Sequence, residues 1–455
     1  MANLGPINLD RVRKLKDEED SRFIAERPRS MELLERGRSF MPDGLPNNWF
    51  RFNYAHPPVW VAAAKGARFT DVDGHSYLDF FLGISGAYCG HAAEAVTEAV
   101  ALQAARGVQF QLPVEDAIWV AEELSRRYAP LRWQFALTSS QSLGDCIRLA
   151  RAATGRNGLL KFDSNYHGHL DHTMVVLEDG VVKPEYRGMD VEAAKKTRVI
   201  QFNDVDALEA ALASREVACV IAEPAMTNCG HLPPVRGYHE ALRALTRQTG
   251  TLLLIDETQT FNCGFGGLTI EYGLEPDLFV VGKSIAGGVP FSAYGMNEDV
   301  AALIEAAHDP YQVYGEPVDE IATGGTMWAN ALTIAAARAA LEHVYTYEAF
   351  EHARTLGAGL ADGIERALRD IGLDWVAYRL FTRTGYSFSS EMPRNAIEAR
   401  AIDVTGFKDA QRVHMANRGV WDGGWWNGPL VSPAHTADDI DRYIDVFREF
   451  LSDAL

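Results

Sequence analysis

Two stretches decide the fold: Thr251-Leu-Leu-Leu-Ile-Asp256-Glu257-Thr258 and Asp277-Leu-Phe-Val-Val-Gly282-Lys283-Ser284. Each is a short apolar strand that ends on a chemically useful side chain. In an open α/β sheet, ligands bind outside the carboxyl ends of the strands, so Asp256 and Lys283 are expected to face a common crevice. Either residue alone reads equally as a helix cap or a solvated lysine. Together they read as a pyridoxal phosphate site, with Lys283 for the Schiff base and Asp256 to keep the pyridine nitrogen protonated. The following Gly287-Gly288-Val-Pro290 lets backbone approach a ligand, which a surface lysine would not need.

Working outward, the pattern is that of a large soluble enzyme. The chain has 455 residues, 47% of them apolar, and length alone suggests about three domains. No window approaches the ~18 uninterrupted apolar residues of a membrane helix. The start Met1-Ala-Asn-Leu-Gly-Pro6 has no signal-peptide pattern, so a cytoplasmic enzyme is expected. A net charge of -19 opposes binding to nucleic acid or anionic lipid. The five scattered cysteines form no Cys-x-x-Cys pair for zinc or redox work, so reduced thiols and no metal are expected.

Residues 1–40 are dense in alternating charge and read as a solvated helical arm. Residues 41–80 hold a turn-rich aromatic loop, Met41 to Arg51, and a period-two hairpin around Asp73-Gly74. Between 81 and 329, helices alternate with apolar strands: helices at 94–105 and 143–153, and strands at 134–137, 158–162, 217–222, 252–255 and 278–281. That alternation argues a mostly parallel sheet covered on both faces. Residues 330–455, with long helices at 331–345 and 349–371 before short strands, read as a smaller domain.

Four further segments agree with the anchors. Thr138-Ser139-Ser140-Gln141-Ser142 follows a strand and opens a helix, where amides and hydroxyls can cradle a phosphate. Tyr166-His167-Gly168 offers a ring for stacking on a pyridine. Ala222-Glu223-Pro224 puts a carboxylate at another strand end, and Thr323-Gly-Gly-Thr326 supplies flexible backbone and a hydroxyl.

On these residues the chain, from about Met41 onward, resembles the class III aminotransferases. These are fold-type I pyridoxal phosphate enzymes that include ω-amine and β-amino-acid transaminases and glutamate-1-semialdehyde aminomutase. The resemblance implies an α/β fold with a large cofactor-binding domain and a smaller domain built from the chain termini. It implies that Lys283 carries the aldimine, that Asp256 bonds the pyridine nitrogen, and that Ser139 and Ser140 hold the phosphate. Tyr166 is expected to stack on the ring and Thr258 to lie against its face, with Glu223 on the hydroxyl side. Thr326 is expected to reach the phosphate of the neighbouring subunit, in a homodimer with shared active sites. The phosphate turn departs from the common Ser-Gly-Thr-Glu-Ala, and Gly144 costs its helix up to about 1 kcal/mol.

The implied reaction is ping-pong transamination between an amine donor and a carbonyl acceptor, with Lys283 as tether and acid/base. Alternatives are a glutamate-1-semialdehyde-like 2,1-aminomutase and a non-catalytic cofactor-binding protein. Many members clamp a substrate carboxylate with a C-terminal arginine, but the stretch Trp421-Asp-Gly-Gly-Trp425-Trp426-Asn-Gly-Pro429 has none. Trp49, Tyr88, Trp328, Trp421, Trp425 and Trp426 are therefore expected to wall a pocket for a bulky or aryl amine. Arg51, with Arg379 and Arg383 behind it, is the candidate for carboxylate binding in a β-amino acid.

Overall fold

The computed structural model describes residues 4–52, 55–307, 321–423 and 428–455. Strands β1 (Val61–Lys65), β2 (Arg68–Asp71) and β3 (Ser76–Asp79) form an antiparallel meander near the N-terminus. The β2–β3 turn closes as its Asp73-Gly74 predicts: Gly74 takes φ +91° and Asp71 Oδ1 accepts from the amides of Asp73 and His75.

Next come β4 (Arg132–Ala136), β5 (Gly158–Phe162), a hairpin of β6 (Val175–Glu178) and β7 (Val181–Pro184), then β8 (Thr197–Ile200) and β9 (Val217–Ala222). β10 (Leu252–Asp256), β11 (Leu278–Val281) and β12 (Ser292–Met296) complete the central set. Seven of these make one sheet in the order β4-β12-β11-β10-β9-β5-β8. β8, β5, β9, β10 and β11 run parallel, and β12 is antiparallel to both of its neighbours. Strands β9 and β11 are buried at every position, which is why they read as unbroken apolar runs rather than alternating ones.

β13 (Ala377–Leu380) and β14 (Arg383–Tyr386) pair as a hairpin, and β15 (Val420–Trp421) joins β3, so the C-terminal segment completes the N-terminal sheet. One apolar core accordingly unites Ile7, Val12, Leu15 and Phe80 with Leu360, Phe407, Phe447 and Phe450.

The first helix, Leu9–Ala25, is not the solvated arm its charges suggest. Val12, Leu15 and Phe23 are buried, and it packs on the helices Thr405–Ala416 and Ala437–Asp453. A helix needs only one apolar stripe to dock, and charges on the other faces conceal it. The helix expected over 331–345 is also interrupted. It is regular at Ala331–Ala339 and then widens to a π-turn at Ala340–Val344, where the buried Arg127 guanidinium donates to the carbonyls of Leu341 and Tyr345. A side chain inserted into the ladder is a known cause of such distortion. No helix among the described residues is long and apolar enough to cross a membrane.

Candidate active site

Parallel pairing places three side chains side by side. In the β9–β10 register Ala222 faces Ile255, and in the β10–β11 register Asp256 faces Val280. Glu223, Asp256 and Lys283 therefore sit at or just past the carboxyl ends of three adjacent strands. Gly282 and Lys283 turn the chain sharply: Lys283 has φ +55°, a left-handed conformation that costs a non-glycine residue of order 1–2 kcal/mol. Ser284 is held from behind by Tyr345, whose hydroxyl lies 2.7 Å from Ser284 O and 2.8 Å from Ser284 Oγ. Tyr345 directly follows the π-turn, so the distortion there bears on how the lysine loop is held.

Lys283 lines the cavity, and burial, reinforced by the Arg383 charge, lowers its pKa to about 8. Asp256 is buried; its Oδ1 accepts from Thr258 N at 3.0 Å and its Oδ2 from His167 Nδ1 at 2.9 Å. Glu223 is buried too, bonded to Asn165 Nδ2 at 2.8 Å and Thr227 Oγ1 at 2.5 Å, and burial pushes its pKa up to about 8.

The altered turn after β4 closes without its glycine. Thr138 caps the helix Ser139–Thr154 in a reciprocal capping box with Gln141, so the helix starts four residues earlier than the sequence suggests. Gly144 is accommodated inside it, with Leu170 at ordinary contact distance from where a Cβ would lie. Ser139 Oγ accepts from Thr258 Oγ1 at 2.9 Å, and Ser140 Oγ accepts from His169 N at 2.8 Å. Tyr166 and Ser140 both line the same space, and burial raises the Tyr166 pKa. Two glycines keep this end open: a Cβ on Gly282 would lie 2.2 Å from Ser139 Oγ, and one on Gly168 would lie 2.8 Å from Ser140 Cα.

Several of these groups, though not Glu223 or His167, line a cavity of about 340 Å³. Ser139, Ser140, Tyr166, Asp256, Thr258, Lys283 and Trp49 all line it, and Trp49 packs edge-on to Tyr166 with ring centroids 5.3 Å apart. Other candidates lie elsewhere. Tyr88 is in the core between Phe261, Tyr345 and Phe350, its hydroxyl on Asn262 O. Trp421 is buried among Phe69, Tyr77 and His56. Trp328 packs over Gly325, and Thr326 is exposed, its carbonyl accepting from Gln109 Nε2. Trp425 and Trp426 lie outside the described residues.

The arginine candidates are also redistributed. Arg51 pairs with Asp43 at 2.5 Å on the surface, and Arg379 pairs with Asp362 and Glu365. Arg383 is fully buried, its guanidinium donating to Gln259 and Asn262, and it acts on Lys283 through charge alone. His167, Gln259 and Asn165 are the additions. His167 stood next to Tyr166 in the strand-end motif, but Gln259 and Asn165 carried no distinguishing pattern.

The family profile described as aminotransferase class-III matches residues 50–398. A glutamate-1-semialdehyde 2,1-aminomutase from Sorangium cellulosum (strain So ce56) is 32% identical over 435 residues, 93% of this chain and 96% of that protein. A crystal structure of a glutamate-1-semialdehyde-aminomutase from Pseudomonas aeruginosa PAO1 superposes with a TM-score of 0.93 at 38% identity, covering 99% of this chain and 100% of that one. A structure of it in complex with PMP matches equally well. An omega-transaminase from Sphaerobacter thermophilus gives a TM-score of 0.83 at 29% identity, over 93% of this chain and 97% of that one.

Proposed function

The chain belongs to the class-III aminotransferases, enzymes of the fold-type I group that work with pyridoxal phosphate, and from that premise we propose that it moves an amino group between adjacent carbons of a single substrate. This is the 2,1-aminomutase reaction carried in the names of its relatives at 32% and 38% identity. One observation carries the chemistry: a lysine whose pKa burial lowers to about 8 lines a cavity together with the buried carboxylate of Asp256.

The residues present fit the cofactor. The 2.2 Å separation between Ser139 Oγ and a hypothetical Gly282 Cβ shows a cradle kept clear of side chain at the start of a 16-residue helix, where an anion is favoured. When bound, pyridoxal phosphate supplies a carbonyl that captures the amine and a ring that accepts the electrons of the broken C–H bond. Ser139 and Ser140 would hold the phosphate and Tyr166 the ring face. Asp256, fixed by His167 and Thr258 N, would hold the proton on the ring nitrogen. Thr258, which lines the cavity and donates to Ser139 Oγ, would lie against the ring face. Glu223, whose pKa burial raises and whose oxygens accept from Asn165 and Thr227, would have a supporting role on the hydroxyl side.

Lys283 Nζ is the group that takes a proton from the substrate carbon and returns it one position away. Its lowered pKa leaves an appreciable neutral fraction near neutrality, as a general base requires. The test is turnover on one substrate: given glutamate 1-semialdehyde and no keto acid, the holoenzyme should form the isomer with the amine on the neighbouring carbon. A strict requirement for a second carbonyl compound would favour the other reading, ping-pong transamination. The omega-transaminase likeness and Trp49 at the cavity support that alternative.

A further inference from the structure

Beside Lys283 lies a second chamber of about 710 Å³, roughly twice the first. Lys283, Gln259, Tyr166 and Trp49 line both, so the chamber begins at the reacting lysine. Its remaining walls come from the β6–β7 hairpin and neighbouring residues, from the segment after β9 at Asn228 to Gly230, and from the C-terminal part of the chain. Interiors are normally filled to crystal density, and a space of this size next to a reactive group has the dimensions of a ligand pocket.

The chemistry of the wall says what it would take. Most of its charges are matched within the protein, while Glu185 forms no ion pair among the described residues. Asp163 accepts from Arg400 Nη2 at 2.6 Å and Gln201 Nε2 at 2.8 Å. Lys161 donates to the carbonyls of Asn165 and Thr173 at 2.6 and 2.8 Å and feels the charge of Glu185, while Glu178 pairs with Lys183. Lys408 lies over the rings of Phe388 and Tyr386, with the charges of Asp403 and Asp422 acting on it. What remains to meet a ligand is mainly the apolar surface of Val175, Val176, Leu177, Tyr378, Phe388 and Ile402, beside the uncharged polar groups of Ser164, Tyr186 and Asn228.

We infer that this chamber receives an uncharged apolar body, an aryl ring or branched alkyl group, that the substrate carries beyond its amine-bearing carbon. The inference rests on the reading of amino-group chemistry at Lys283 and deepens it. The five-carbon acid in the relatives' names has no such body and would leave the chamber to water. The indoles expected to build an aromatic pocket sit mainly elsewhere, yet an apolar space is present, walled by aliphatic residues of the hairpin and two rings from the C-terminal part.

The experiment is single-turnover conversion of the purified holoenzyme, followed by cofactor absorbance, with matched probes. 3-Amino-3-phenylpropanoate is compared with β-alanine, 1-phenylethylamine with isopropylamine, and glutamate 1-semialdehyde serves as a further short probe. Each phenyl member should react with a rate constant over half-saturation at least about tenfold above its short partner, the benefit expected from burying a ring. Val176→Phe and Ala399→Phe narrow the chamber from two sides, and each should cut the phenyl-to-short ratio about tenfold. Short probes reacting as well as phenyl ones, or an unchanged ratio in both coloured variants, would overturn the chamber while leaving the Lys283 chemistry standing. Failure of every probe would overturn both. If a variant loses its colour through misfolding, the wild-type ratios decide.

Discussion

His167 Nδ1 lies 2.9 Å from Asp256 Oδ2, and both side chains are buried. Burial lowers the histidine pKa, so a neutral imidazole donates its Nδ1 proton to the carboxylate. With Thr258 N on the other oxygen, Asp256 is fixed from two sides, which preorganises an anion for a buried cation. His167 Nε2 has no hydrogen-bond partner among the described residues, so the ring's polar contact within the protein is Asp256.

Asp256→Asn should retain the cofactor but slow the half-reaction at least about a hundredfold, or ~2.7 kcal/mol. His167→Phe should cost about tenfold, the scale of one hydrogen bond to a charged group. Stopped-flow absorbance with one reactive amine measures both. Near-native rates in Asp256→Asn would make that carboxylate structural.

Gly282→Ala should weaken cofactor binding and cost about 1–3 kcal/mol of stability, because its Cβ would meet Ser139 Oγ at 2.2 Å. Gly359→Ala is the contrast: it is exposed inside the helix Tyr347–Asp370 with nothing within 4 Å, and should gain up to about 1 kcal/mol. Cofactor titration and thermal unfolding read both. Equal behaviour of the two variants would show that the cradle is not tight.

The rate of proton transfer should rise with pH and level off above about pH 8. Burial, then the Arg383 charge, depresses the Lys283 pKa from its ordinary value near 10.5. The base is the neutral amine, so activity follows deprotonation. The folded cofactor-free protein also disfavours this proton relative to the unfolded chain. Lys283 therefore adds stability as pH rises from about 8 toward 10.5. A half-reaction that falls with pH across this range would assign the proton to another group.

We propose that two copies complete each other's sites around Thr326. Leu102, Phe110, Leu112, Ile118 and Met327 are all exposed large apolar residues, and Gln109 ties the 107–112 stretch to Thr326. Leu112→Glu combined with Met327→Glu should shift light-scattering mass from dimer to monomer and lower cofactor occupancy with it. A cofactor-loaded, fully active monomer would remove Thr326 from the site.

Much of this architecture was legible in the sequence. The strands Gly158–Phe162, Val217–Ala222 and Leu278–Val281 fall where apolar runs end in polar turns, because burial on both faces leaves no alternation to misread. Asp256, Lys283, Ser139, Ser140 and Tyr166 were marked by position after strands, and the structure gathers them around one cavity. Aromatic content was a poorer guide. It indicates burial but not which cavity a ring faces, so Tyr88 and Trp421 joined cores while Trp49 reached the site. Arg383 shows the same limit for charge. Its sequence neighbours say nothing about Gln259 and Asn262, more than 100 positions away, which take up its donors.

The most direct measurement is borohydride reduction of the purified protein with its cofactor, followed by peptide mapping, in wild type and in Lys283→Ala. The expected result is a single cofactor-labelled peptide containing Lys283, no label in the variant, and loss of turnover with cofactor still held noncovalently by the remaining residues. A label on any other lysine, or turnover surviving in Lys283→Ala, would contradict the assignment of Lys283 as the reacting group.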